Sequence, residues 1–235
     1  MDLELVMQEL EALGKERTKK IYISNGAHEP LFGVATGAMK SIAKKIKINQ
    51  PLADKLYATG NYDAMYFAGI IADPNAMTET DYNCWMDGAY FYMLSDSVVS
   101  VTLSESDIAQ EVADKWIASG EELRMSAGWS CYCWLLGNRK DVEFSESKIL
   151  SMLEMMKNTI YDAPERAKAA MNNFLYTVGI SYLPLHEQAL EIAREIGIVE
   201  VKRGNKKSSF LNAYESIKKE VDKGRLGFKR KHVRC

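Results

Sequence analysis

Apolar residues return every three or four positions along almost the whole of this chain, a period that only helices can use. Leu3, Val6, Leu10 and Leu13 form one stripe, and Gly14 stops it. After a short linker containing Gly26 and Pro30, LFGVATGAMKSIAKKIKI predicts a second helix. Leu31, Val34, Ala38, Ile42 and Ile46 line one side of it, and Lys40, Lys44 and Lys47 line the other. PLADKLYATG and NYDAMYFAGIIADP read as two short helices parted by Gly60, the second closed by Asp73-Pro74. Further helices are expected at about 78–93, 106–118, 121–136, 146–160, 163–180 and 184–197. Thr78-x-x-Asp81, Ser104-x-x-Asp107 and Asp162-x-x-Glu165 have the spacing of helix-start capping pairs. Helix pairs recurring about every 35–40 residues predict an all-α chain, an α-solenoid of HEAT-like or armadillo-type units. A compact helical bundle is the competing all-α reading.

One stretch breaks the pattern. In IVEVKRGNKKSSF, Val199 and Val201 alternate with charge, and Gly204-Asn205 suits a two-residue turn. The expectation is a small β-hairpin near the C-terminus with Lys202, Arg203, Lys206 and Lys207 at its tip, the alternative being a basic exposed loop. The chain then reads as a single domain over 1–235: helix pairs over 1–198, the hairpin at 199–209, and a last helix and basic tail at 210–235.

Charge follows the same division. Residues 201–235 carry a balance of +9 and residues 1–200 one of −11, although the whole chain stands at −2. A basic end on an acidic body fits a polyanion-binding arm or a tail docked on the body. Phe210, Leu211, Tyr214, Ile217, Val221, Leu226 and Phe228 interrupt the basic residues, so this end is expected to be folded. Lys229, Arg230 and Lys231 add a second cationic cluster.

Between Trp85 and Leu103 lies the most apolar stretch, with one acid, Asp96, inside its apolar run. An isolated buried carboxylate costs several kcal/mol, roughly, so Asp96 either ends one helix and caps the next or works as a functional acid. Tyr90, Phe91 and Tyr92 precede it, and Arg124 in EELRMSAGW is the cation best placed to serve the same surface. Trp129 and Trp134 in GWSCYCWLL fit a helical core.

Several function classes are not expected. No apolar run approaches the roughly 20 residues a membrane span needs, and MDLELVMQELEALGKER is charged throughout, so a soluble cytoplasmic protein with no membrane partner is expected. Cys84, Cys131, Cys133 and Cys235 form no CxxC, and His28, His186 and His232 are scattered; buried reduced thiols, no metal and no small-molecule cofactor are expected. Phosphate-binding glycine loops, nucleophile elbows and HExxH are missing.

Four blocks carry a resemblance: LADKLYATGNYDAMYFAGIIADP (52–74), the segment from Tyr92 to Asp96, ADKWIASGEELRMSAGW (113–129) and LHEQALEIAREIGIVEV (185–201). They resemble the DNA alkylation repair proteins of the AlkD type, built from HEAT-like repeats. The hairpin, GRLGFKRK and the terminal Arg234-Cys235 are closest to the AlkF/AlkG-like branch. The resemblance implies a solenoid whose basic face holds double-stranded or distorted DNA. Active members hydrolyse the N-glycosidic bond of N3- or N7-alkylated purines, where a carboxylate and aromatic faces stabilise an oxocarbenium-like sugar. Their pattern is a tryptophan four residues before the aspartate, a later arginine and a second tryptophan. Asp96 matches the aspartate; Tyr92, Met125 (with Arg124 beside it) and Asn173 stand at the other three positions. The candidate catalytic set is thus Asp96, Tyr92 and Arg124. Lys40, Lys44, Lys47, Lys202, Arg203, Lys206, Lys207, Lys229, Arg230 and Lys231 are the candidate DNA contacts. A DNA-binding protein with weak or no base excision is expected; an alkylpurine DNA glycosylase and a protein-interaction scaffold are the alternatives.

Overall fold

A computed structural model describes residues 1–204 and 206–234. The chain divides into two units, Met1–Ala109 with Arg234, and Gln110–Val233. Both are helical, and a two-stranded antiparallel sheet lies in the second. Among the described residues no helix is long and apolar enough to cross a membrane.

The first unit opens with α1 (Leu3–Leu13), where the Asp2 carboxylate accepts the Leu5 N–H at 3.0 Å and Gly14 ends the helix. Where a linker was expected there is a further helix, α2 (Glu16–Ser24). None of its residues is buried, so it leaves no apolar stripe to read. The expected second helix is shorter than its apolar spacing suggests. Residues 31–35 form no regular element, and helix begins with a 3₁₀ turn at Thr36–Met39 that leads into α3 (Lys40–Ile46).

Asp63 is the cause. It sits, wholly buried, on α5 (Tyr62–Ile71), and its carboxylate accepts the backbone N–H groups of Phe32, Gly33 and Val34 at 2.6, 2.9 and 2.8 Å. Three amides bound to a side chain cannot also close helical turns. Burial pushes the Asp63 carboxyl above its usual range, against the downward pull of those N–H groups. Asn61 caps α5 by accepting from Asp63 and Ala64, and α4 (Gln50–Tyr57) packs on it.

Thr78 and Asp81 form the expected reciprocal cap at the start of α6 (Glu79–Gly88). Trp85 on α6 stacks on Tyr57 at 4.3 Å, and the Tyr57 hydroxyl donates to the Trp85 carbonyl. The unit closes with consecutive helical segments: α7 (Tyr92–Leu94), a π-helical turn at Ser95–Val99, and α8 (Ser100–Ser104). Ser104 is the last residue of α8, its hydroxyl donates back to Val101, and the helix that follows starts only at Ala109.

The second unit contains most of α9 (Ala109–Ile117), then α10 (Glu122–Asn138), α11 (Glu146–Thr159), α12 (Glu165–Ser181) and α13 (His186–Ile196). The main packing pair is α10 with α12, and Trp129 meets Phe174 across it at 5.0 Å. Trp129 is buried, as expected of a core aromatic, and so is Tyr132, but Trp134 is only half-buried. Cys131 is buried as a free thiol, but Cys84 is an exposed one. Pro164, not Asp162, stands at the start of α12; Glu165 in its first turn binds elsewhere, as described below.

The hairpin pairs β1 (Ile198–Arg203) with β2 (Lys206–Asn212), longer than the expected 199–209; Asn205 of the expected turn lies outside the described residues. Phe210 and Leu211 extend the return strand, and α14 (Ala213–Asp222) starts only after Asn212, which accepts the Glu215 N–H. Gly179 permits the approach of α14 to α12, because a Cβ there would lie 2.5 Å from Ile217 Cδ1.

Candidate nucleic-acid interface

Asp96 does not cap a helix. It lies inside the π-helical turn, 6% exposed, and accepts a 2.8 Å hydrogen bond from the Ser95 hydroxyl. The Ser100 hydroxyl donates to the Ser95 carbonyl at 2.8 Å, which holds the wide turn from its other end. Gly69 on α5 makes room for it, since a Cβ at that position would meet Val98 Cγ1 at 2.8 Å. Single π turns inside α-helices recur at functional sites, where the extra residue re-aims a side chain.

Tyr92, one turn earlier, belongs to an aromatic run. Tyr62 contacts Tyr22, Tyr66 and Phe91 at ring separations of 4.9, 6.2 and 5.4 Å, and Phe91 in turn meets Tyr92 at 5.7 Å. Burial pushes the Tyr22 hydroxyl up to about 12, and its proton is donated to the Val34 carbonyl. Burial also raises Tyr62, whose hydroxyl meets no hydrogen-bonding partner among the described residues. In the second unit Arg124 stands in the first turn of α10 and its Nε donates to Glu121 at 2.9 Å. Met125 is half-buried and Asn173 exposed.

Lys40, Lys44 and Lys47 are exposed, and none forms an ion pair within the described residues, whereas Lys45 beside them binds Glu9 at 3.0 Å. With Ala43, Ile48, Ile70 and Ile71 the three lysines line a recess of about 370 Å³. Lys47 itself has φ 61° and ψ −156°, a conformation nearly restricted to glycine.

The hairpin presents a row of exposed cations. Val199 and Val201 are buried toward α12, which fixes the opposite face outward. A register shift between Val201 and Arg203 re-aims the last residues. Lys202, Arg203, Lys206 and Lys207 are all exposed there. Glu165 anchors the sheet from α12 by accepting the Lys202 backbone N–H, and it also binds the Lys168 ammonium. Both donors hold the Glu165 carboxyl below its usual range, the Lys202 amide contributing most. Sequence spacing had offered Glu165 only as half of a cap.

Part of the tail's charge is turned inward. Lys229 donates to the Leu136 carbonyl at 2.6 Å and pairs with Asp141 at 2.7 Å. Arg230 lies 4.5 Å over the Trp134 ring, and its N–H and C=O bind Gly137 and Asn138. Lys231 is exposed. In the first unit Arg234 donates to the Gly69 and Ala72 carbonyls and pairs with Glu105, so it closes the C-terminal end of α5. Cys235 lies outside the described residues.

Comparisons with known proteins agree with this architecture. An uncharacterised protein of Listeria monocytogenes is 30% identical over 217 residues, covering 90% of this chain and 93% of its own. A second, from Listeria innocua, is 30% identical over 218 residues with the same coverage. A solved structure matches with a TM-score of 0.98 and 80% identity over the full length of both chains. It represents a new family of proteins related to the HEAT-like repeat DNA glycosylases with affinity for branched DNA structures. That relationship gives the fold class as all-α and HEAT-like, with a small hairpin near the C-terminus. The family model described as DNA alkylation repair enzyme matches residues 6–217, and this chain belongs to that family.

Proposed function

We propose that this protein holds branched or otherwise distorted DNA through its basic hairpin and leaves the bases in place. The observation that carries the reading is the four-cation tip, exposed on a sheet that Glu165 and two buried valines keep from swinging freely. Lysine and arginine side chains that neutralise phosphates bind by releasing condensed counterions, without regard to sequence. Lys40, Lys44 and Lys47 supply a further set of exposed cations, and Lys231 another, while Lys229 and Arg230 are engaged within the protein. The affinity of the 80% identical protein for branched DNA supports the same conclusion. A cytoplasmic location suits such a role.

Base excision is the second reading, and one observation favours it: a buried carboxylate on a π-helical turn, next to an aromatic run. Against it stand Tyr92, Met125 and Asn173, which provide neither of the two tryptophan faces nor the arginine of the active pattern.

The deciding experiment is single-turnover release of 7-methylguanine or 3-methyladenine from duplex DNA, with protein in excess and Asp96→Asn in parallel. No release with DNA binding intact is the expected result. Release that disappears in Asp96→Asn would overturn it and make Asp96 a catalytic residue.

A further inference from the structure

The outward face of the hairpin carries a feature that phosphate binding does not use. Phe210 is 69% exposed and Ile198 61%. Register places Glu200 opposite Phe210 and Ile198 opposite Asn212, so all four side chains share one face, with Ile198 diagonal to Phe210. The face is continuous with the cationic tip. Lys207 lies three residues from Phe210 along β2, roughly 10 Å at strand rise.

We propose that Phe210, backed by Ile198, is a stacking platform for a base exposed at a DNA branch, and that it determines the preference for branched over linear DNA. The inference rests on the DNA-binding reading above and deepens it. A partner that satisfies the tip must be a polyanion, and one that covers Phe210 must offer a flat apolar surface. Nucleic acid with an accessible base offers both. Continuous duplex does not, because its base faces are stacked against each other and only their edges reach the grooves. A branch point breaks that stack and leaves end faces open. Glu200 strengthens the discrimination: its carboxylate, directly opposite Phe210, repels a phosphate, so this face accepts a base and not the backbone. Aromatic side chains stack on any base, which suits recognition of a structure without recognition of a sequence.

The test measures affinity for a four-way junction and for linear duplex of the same sequence, by fluorescence anisotropy at one salt concentration. Wild type, Phe210→Ala and Phe210→Trp are compared. Phe210→Ala should weaken junction binding about tenfold, the loss of one base stack, and leave linear duplex within twofold. Phe210→Trp should restore the junction preference. With 2-aminopurine at the branch, wild type and Phe210→Trp should quench its fluorescence and Phe210→Ala should not. Unchanged junction affinity in Phe210→Ala, or an equal loss on both DNAs, would overturn the proposal while leaving DNA binding standing. Failure of the wild type to bind either DNA at low salt would overturn the reading beneath it as well.

Discussion

Asp63 shows how one side chain can override a helical pattern. Leu31, Val34 and Ala38 have the spacing of a buried helix face, yet a carboxylate from α5 takes three consecutive backbone donors and keeps residues 31–35 out of the helix. Asp63→Asn retains the shape but turns an amide NH₂ toward at least one of those N–H groups. A buried donor then loses its acceptor, and the remaining bonds lose their charge assistance. We expect a loss of about 3 kcal/mol, read from the urea midpoint at unchanged slope. Nothing in the sequence around Asp63 marks it, because its partners are backbone groups some thirty residues earlier. Asp96, by contrast, is conspicuous as an acid in an apolar run, but its neighbours give no sign that the helix widens there. A π turn depends on how Val98 and Thr102 meet Gly69, which is a tertiary fact.

Among the elements, the hairpin was legible and its anchor was not. Val199, Val201 and Gly204 announce a strand and a turn, whereas Phe210 and Leu211 read equally well as the first turn of the next helix. Pairing with β1 decided the matter, since Val199 faces Leu211 and Glu200 faces Phe210. Glu165 makes this anchor sensitive to pH. Its folded pKa lies below its ordinary value, so its stabilising contribution is complete above the unfolded value of about 4.3 and is lost as pH falls through the lowered one. The protection factor of the Lys202 amide against hydrogen exchange should therefore drop on acidification below about pH 4. Glu165→Gln should start from a lower protection factor and show no acid step at that pH. α2 escaped sequence reading for the opposite reason: none of its residues is fully buried, and apolar period detects only helices with a buried stripe.

At the scale of the whole molecule, charge separation confines where a polyanion can settle. Residues 1–200 carry −11 and residues 201–235 carry +9, so most of the chain repels DNA and the end attracts it. The logarithm of the association constant should fall linearly with the logarithm of salt concentration. Replacing Lys202, Arg203, Lys206 and Lys207 by alanine together should lower the magnitude of that slope by about 3 to 4. An unchanged slope in a titration of the quadruple variant would remove the hairpin from the DNA contact. The π-helical turn has a different bearing on the molecule. It holds one residue more than an ordinary turn, so the helical segments on either side are out of phase by about 100° relative to an unbroken helix. Elsewhere in a packed helix, losing a single residue would roll the buried face toward water. Between Ser95 and Val99 the same loss would restore ordinary winding. Length differences of one residue among related chains should thus collect at this turn, beside the acid, and each shorter form would hold Asp96 at a different angle to Tyr92.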